Sequence, residues 1–295
     1  MNTIKAGFHP NNKHKGLYDF DLLIKVYPEL ASFVKPNAYK NLSINFFNPK
    51  AVIALNKALL KQYYNIHYWN IPQNYLCPPI PGRAEYIHRI AEFINPSGSD
   101  KKIKCLDIGV GANCIYPIIG IHEYNWNFIG TDIDPIALDS ANQIIQNNPS
   151  LLDKIELRLQ KDPNNIFEGI VEKNETFDIT ICNPPFHASA QEALKGAERK
   201  LRNLKQEKNP KRILNFGGQS NELWCNGGEL KFINTMILES IQVKDSIQWF
   251  STLVSKESNL QPIIKLIETA KAVNVKILDM NLGNKTSRIV LWSFN

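Results

Sequence analysis

No stretch of this sequence approaches the ~18 consecutive apolar residues that a membrane-spanning helix needs. The opening MNTIKAGFHPNNKHKG also lacks the apolar core of a secretory signal. A soluble, cytoplasmic protein with no membrane partner is expected. Cysteine is scarce: Cys77, Cys105, Cys114, Cys182 and Cys225 are odd in number, widely spaced and never in a C-x-x-C pair. That pattern argues against a disulfide framework and against a thiolate zinc centre. The five read as buried reduced thiols, and no metal is expected. Charge of one sign is in modest excess only, with 34 Lys and Arg against 28 Asp and Glu, a formal +6. Such a balance mildly favours an anionic partner. No internal repeat or low-complexity tract is evident. What the chain does have is 295 residues at 43% hydrophobic content, enough for one substantial core and a small accessory unit. A monomer is expected.

Residues 1–82 show no strand-helix rhythm. One helical pattern runs from Pro49 to Tyr63, with Val52, Leu55, Leu59 and Leu60 at spacings of three and four. Pro72, Pro78, Pro79 and Pro81 forbid its continuation. A second helical pattern, Ala84 to Ile94, stops at Asn95-Pro96. From Lys101 onward short apolar runs alternate with helical patterns, the signature of parallel βαβ units in a doubly wound α/β sheet. Strands are expected at Ile103–Ile108, Asn127–Thr131, Ile155–Leu159, Phe177–Cys182, Ile247–Val254, Val275–Met280 and Arg288–Phe294. The helices between them are expected near Ile115–His122, Pro135–Asn147, Glu229–Gln242 and Leu260–Ala272. Residues 189–218 break the rhythm and read as a basic insertion over the sheet edge. The organisation is thus an N-terminal accessory unit, 1–82, and an α/β domain, 83–295.

Three motifs carry chemistry. In the run from Cys105 to Asn113, a strand enters a glycine turn: Gly109 and Gly111 allow positive φ and close ligand approach. A dinucleotide fingerprint needs a third glycine where Cys114 stands, and Asp107 precedes the turn. Acid-x-Gly-x-Gly is the form seen in S-adenosylmethionine sites. Next, Asp132, 25 residues after Asp107 at the end of the second strand, is placed to accept the hydroxyls of a ribose. Asp134 before Pro135 reads more simply as a helix cap. Third, Asn183-Pro184-Pro185-Phe186 follows the fourth strand directly. Two prolines fix the backbone, so the Asn183 amide oxygen and the Pro184 carbonyl form paired acceptors for the two hydrogens of an amine. An aryl amine is a poor nucleophile because its lone pair is delocalised, and such a grip favours its attack on a methyl donor. Phe186 offers a stacking face for a flat target. His187 beside the motif reads as structural or positioning, since a methylated amine can lose its proton to solvent.

With these motifs, several further blocks resemble one family: His9-Pro10-Asn11-Asn12-Lys13-His14, the run from Pro81 to His88, Leu106 to Pro117, Cys182 to His187, Asn215-Phe216-Gly217-Gly218 and Trp292-Ser293-Phe294. The sequence resembles the adenine-N6 methyltransferases of bacterial 23S ribosomal RNA, the large-subunit methyltransferase F type, which has a eukaryotic relative acting on structured RNA. N-P-P-[FY] alone is shared with glutamine and DNA methyltransferases; the combination is not. The resemblance implies a Rossmann-like class I methyltransferase with strand order 3-2-1-4-5-7-6, the last strand antiparallel, and S-adenosylmethionine as cofactor. It implies Arg83 on the cofactor's methionine carboxylate, for which a guanidinium is a natural fork; without the family, Arg83 is an arginine starting a helix. Asn183 counts among the cofactor contacts as well as the catalytic ones. Asp162 is a candidate for the cofactor's adenine amine, equally explained as a turn former before Pro163.

Two basic segments are expected to contact RNA. Residues 1–15 hold Lys5, Lys13, Lys15, His9 and His14 with no acid, and Lys13, His14 and Lys15 are the candidates there. Residues 195–212 hold eight cations, Lys200, Arg202 and Lys205 among them, against Glu198 and Glu207, an excess equal to the net charge of the whole chain. Charge so concentrated beside a catalytic motif reads as phosphate binding, with a solvated helix face as the alternative. Lys285 and Arg288 are too few to decide anything. The expected activity is methylation of an adenosine N6 in 23S rRNA, naked or in an assembling large subunit, on a flipped or unpaired base. The alternatives are a protein glutamine methyltransferase and an inactive RNA-binding relative. The intact Asp107, Asp132 and Asn183 speak against the second.

Overall fold

The sequence places a capping residue and a proline together at two helix starts, Asn48-Pro49 and Asp134-Pro135, and the elements begin there. The computed structural model describes residues 7–98, 101–189, 191–192, 220–282 and 285–295; Lys200, Arg202 and Lys205 lie outside them. Near the N-terminus, helix α1 (Phe20–Val26) is capped by Asp19, whose side chain accepts from Leu22 N. Strands β1 (Val34–Pro36) and β2 (Leu42–Ile44) form a small antiparallel hairpin. Helix α2 (Pro49–Tyr64) starts from an Asn48 cap with Pro49 in its first turn and ends at Asn65 in the left-handed region. Helix α3 (Ile80–Ile94) begins four residues ahead of the periodic pattern, with Pro81 in its first turn. The left-handed Asn65, not the later prolines, ends α2, and Pro79 and Pro81 instead mark the start of α3.

Seven strands follow: β3 (Lys104–Ile108), β4 (Asn127–Asp132), β5 (Ile155–Leu159), β6 (Phe177–Cys182), β7 (Ile247–Val254), β8 (Asn274–Leu282) and β9 (Lys285–Ser293). They build one sheet in the order β5-β4-β3-β6-β7-β9-β8, the order that the resemblance implies. β9 runs antiparallel to both β7 and β8, and the other pairings are parallel. Helices α4 (Ile115–Tyr124), α5 (Pro135–Gln146), α6 (Ser220–Leu223), α7 (Gly228–Ser240) and α8 (Leu260–Thr269) connect them. Among the described residues, no helix is long and apolar enough to cross a membrane.

One face of the sheet and the N-terminal helices share a core that runs from Phe20 and Leu23 through Leu55, Leu59 and Ile87 to Ile179 and Leu291. The other face packs Ile233, Met236 and Ile237 of α7 and Ile263 and Ile267 of α8 against Phe250 and Trp292. Trp292 is fully buried, stacks on Phe250 at 5.5 Å and donates to Ser240 Oγ at 3.0 Å. The division expected near residue 82 falls inside α3, and the first core spans both sides of it. After β5 the chain returns to place β6 beside β3. The reversal opens a crevice at the carboxyl ends of these strands, where doubly wound sheets bind ligands.

Candidate active site

A cleft of about 480 Å³ occupies that crevice, lined among others by Arg83, Gly109, Gly111, Asp132, Asn183 and Pro184. Gly109 and Gly111 have φ of +76° and +65°, the left-handed region open to glycine. A Cβ at Gly111 would come within 3.3 Å of Asn113 Nδ2. Both Gly109 N and Val110 N donate to the Thr131 carbonyl, at 2.9 and 2.8 Å. The turn is thereby locked onto the end of β4. Asp132 completes it: one carboxylate oxygen accepts from Gly111 N and the other from Asp134 N, each at 3.0 Å. Burial raises its pKa, and those backbone amides oppose the rise. Asp134 caps α5 through Ile136 N and takes the Tyr75 hydroxyl at 2.6 Å, as the capping reading expects.

Asp107 is fully buried, and neither carboxylate oxygen has a hydrogen-bond partner among the described residues. Burial pushes its pKa well above the usual carboxylate range; the charge of Asp132 adds to the rise and that of Arg83 opposes it. Arg83, in the first turn of α3, lies over the Tyr116 ring and donates to the Tyr116 hydroxyl at 2.8 Å. Asn183 Oδ1 is likewise buried without a partner among the described residues. Leaving a buried acceptor unpaired costs about 1–3 kcal/mol, so the unpaired Asn183 Oδ1 in the cleft lining, with the unpaired Asp107 carboxylate directly before the glycine turn, points to a ligand that pairs them. The cleft thus offers the Asp132 carboxylate, a guanidinium and an unpaired amide oxygen, with the Asp107 carboxylate directly before its glycine turn. Its chemical fit is to a nucleoside carrying a zwitterionic tail.

Not every expected residue is brought here. Phe186 is half-buried and does not line the cleft, whereas Pro185 and Trp224 do. Asp162 is exposed, and its Oδ1 accepts both the backbone and side-chain nitrogens of Asn164 at 2.9 Å; the lining at that end comes from Gln160 and Asn164. His187 pairs its backbone with Leu223 O and Cys225 N, both at 3.1 Å, which pins the chain beyond the motif to the end of α6 and the link that follows it.

Of the three N-terminal candidates, His14 needs correction. His14 is only 1% exposed, with Nε2 on the Tyr64 hydroxyl at 2.8 Å, so it anchors the segment and presents no surface to RNA. Lys13 is 41% exposed but pairs with Glu123 at 2.7 Å, and Lys15 Nζ donates to the Pro10 carbonyl. The segment is clamped by Glu85, whose buried carboxylate accepts from His9 N at 2.9 and 3.0 Å, from Asn12 Nδ2 at 2.9 Å and from Arg89 Nε at 2.9 Å.

Two features escape the motif reading. Glu222 lines the cleft and accepts from Leu76 N at 3.1 Å, joining chain segments 146 residues apart; no short spacing signals such a contact. The second is legible in hindsight: no acid stands between Glu29 and Glu85, a stretch with Lys35, Lys40, Lys50, Lys57 and Lys61. Within it the β1–β2 hairpin holds out Tyr39, 83% exposed, and next to it Phe46, 47% exposed.

The family model for "RNA methyltransferase" matches residues 2–295. "Ribosomal RNA large subunit methyltransferase F" of Cytophaga hutchinsonii is 54% identical over 295 residues, covering 98% of this chain and 92% of that protein. The protein of the same name from Bacteroides fragilis is 54% identical over 298 residues, covering 97% and 98%. Among solved structures, the hMettl16 catalytic domain in complex with MAT2A 3'UTR hairpin 1 superposes with a TM-score of 0.83 at 28% identity, covering 98% of this chain and 96% of that one. The N-terminal domain of human METTL16 in complex with SAH gives 0.77 at 26%, covering 98% and 99%.

Proposed function

The chain belongs to the RNA methyltransferase family, as a large-subunit ribosomal RNA methyltransferase of the F type, and we propose that it methylates the N6 amine of one adenosine in 23S rRNA with S-adenosylmethionine as donor. The observation that carries this reading is the pair of unsatisfied buried groups, Asn183 Oδ1 in the lining of the cleft and the Asp107 carboxylate directly before the glycine turn that lines it. The residues fit the cofactor. Asp107 presents an unpaired carboxylate at the glycine turn, Gly111 leaves space that a Cβ would crowd, and Arg83 supplies the fork for a carboxylate. The SAH complex of human METTL16 supports the same choice. When bound, S-adenosylmethionine supplies an electrophilic methyl group on a sulfonium.

The chain's own residues do the rest. Arg83 holds the methionine carboxylate, and Asp132 accepts the ribose hydroxyls with the lone pairs its two amide contacts leave over. Asn183 Oδ1 and the Pro184 carbonyl accept the two amine hydrogens, drawing them out of the ring plane so that the nitrogen lone pair becomes available. Trp224, in the cleft lining, and Phe186, directly after the Asn183-Pro184-Pro185 run, serve as stacking faces for an extruded base. Residues 1–82 and the 195–212 segment bind the RNA backbone, with Lys35, Lys40 and Tyr39 of the hairpin as the exposed contacts in the former. The enzyme acts as a cytoplasmic monomer on RNA that is naked or in an assembling subunit. Incubation with tritiated S-adenosylmethionine and undermodified 23S rRNA, followed by nucleoside analysis, tests the reading. Label in N6-methyladenosine is the expected result, and label in any other nucleoside or in protein rejects it.

A further inference from the structure

Backbone pairing between β6 and β7 is recorded only from Phe177–Ile247 to Ile179–Trp249. Beyond that point, toward the cleft, buried hydroxyls join the two strands. Ser251 N donates to Thr180 Oγ1 at 3.1 Å, and Ser251 Oγ donates to the Thr180 carbonyl at 2.6 Å. One step further, the hydroxyl of Tyr86, reaching in from α3, lies 2.9 Å from Ser251 Oγ and accepts from Cys182 N at 3.3 Å. Thr180, Ser251 and Tyr86 are all fully buried. The proton count orders this chain. Ser251 has one hydroxyl proton, committed to the Thr180 carbonyl, so the Tyr86 proton goes to Ser251 Oγ at 2.9 Å in preference to the Cys182 carbonyl at 3.4 Å. The relay is Cys182 N–H to Tyr86, Tyr86 to Ser251, and Ser251 to Thr180. Such chains strengthen by mutual polarisation.

We propose that Tyr86 is a positioning residue for methyl transfer: its hydroxyl fixes the last residue of β6, and so the point from which Asn183 and Pro184 enter the cleft. The inference rests on the role given above to Asn183. Two observations separate it from a plain core aromatic. The hydroxyl contacts the backbone of the residue immediately before Asn183, which β3 still pairs through Ile108 but which lies beyond the register pairs with β7. The ring packs edge-on against Tyr116 at 5.4 Å, and Tyr116 in turn takes Arg83. One side chain therefore ties the amine acceptors to the cofactor's carboxylate fork. Tyr86 does not line the cleft, so it acts through its neighbours.

Tyr86→Phe keeps the ring and deletes the relay. Displacing a reacting group by about 1 Å costs on the order of 10²-fold in rate. The single-turnover rate of the full-length variant at saturating RNA and cofactor should fall by about that factor, while both dissociation constants stay within about twofold of wild type. An unchanged rate, or a loss confined to either affinity, overturns the inference. Crystal structures of both proteins need no RNA chemistry: Asn183 should be displaced or split between conformers in the variant, and an Asn183 that superposes on the wild type overturns the inference. Should wild type place no methyl on adenine N6, the functional reading falls while the crystallographic comparison still decides Tyr86. If Tyr86→Phe does not fold, Ser251→Ala breaks the same relay away from the ring and is held to the same outcomes.

Discussion

At the residue scale, Asp107 and Asn183 show how a binding site is held at a cost to the empty fold. Burial raises the Asp107 pKa well above its ordinary 3.8. Between that value and the raised one, the native state binds more protons than the unfolded chain, so stability falls as pH rises through the window. At pH 7, well above its ordinary value, the buried carboxyl group is therefore a net cost to the free enzyme. Asp107→Asn should melt higher than wild type at pH 7, by about 2–4 °C for roughly 1 kcal/mol in a chain of this size. The gap should close as pH is lowered, and calorimetry should show weaker cofactor binding. An Asn variant that melts lower at pH 7 would contradict this account. Asn183 carries the complementary test, because an acceptor that tightens as the nitrogen pyramidalises acts on the transition state. Asn183→Ala should lower the single-turnover rate by on the order of 10²–10³, by analogy with deleting one preorganised donor, and lower binding much less. Wild-type turnover from Asn183→Ala would end the amine-grip mechanism.

At the scale of elements, the decisive contact is the clamp of residues 9–12 on α3. Glu85 gathers two backbone and side-chain donors from the N-terminal segment and one arginine, all around a carboxylate with no exposure. Removing one member of a buried charged network leaves the others unsatisfied, at about 3–5 kcal/mol. Glu85→Ala should lose stability of that order in urea titrations, and a loss under about 1 kcal/mol, the size of an ordinary surface effect, would mean that the clamp is not rigid. This clamp also marks where sequence reading stops. β6 and β7 were legible to the residue because buried parallel strands are short apolar runs bounded by turns, and β5, at the sheet edge, because Ile155, Leu157 and Leu159 alternate with Glu156 and Arg158. The glycine turn, Asp132 and Asn183 were legible because backbone chemistry dictates their residue types. The hairpin was not, since two strands of three residues carry no period. His14 misled for a related reason: charge and ring chemistry are visible in a sequence, but its contact with Tyr64, 50 residues away, is not. The start of α3 was misplaced because proline signals both an end and a beginning.

At the scale of the whole molecule, the question is where the modest +6 is spent. Two regions concentrate it: residues 195–212, and the acid-free stretch between Glu29 and Glu85 that the fold places on the same chain as the clamp and the first turn of α3. Each lysine or arginine that neutralises a phosphate releases counterion, adding about 0.7 to 0.9 to the slope of log affinity against log salt. Lys200→Ala, Arg202→Ala and Lys205→Ala combined should therefore flatten the slope by roughly 2 to 3 and leave cofactor affinity unchanged. The hairpin should behave differently. Lys35→Ala with Lys40→Ala should flatten the slope by about 1.5. Tyr39→Ala should leave the slope alone and weaken binding of a fragment with unpaired bases by about 1–3 kcal/mol, because stacking releases no counterion. Filter-binding titrations across a salt series separate the two contributions. A slope that stays at the wild-type value in the first triple variant would return residues 195–212 to a solvated face. An unchanged affinity in Tyr39→Ala would leave the hairpin's lysines as an electrostatic contact without a stacking partner.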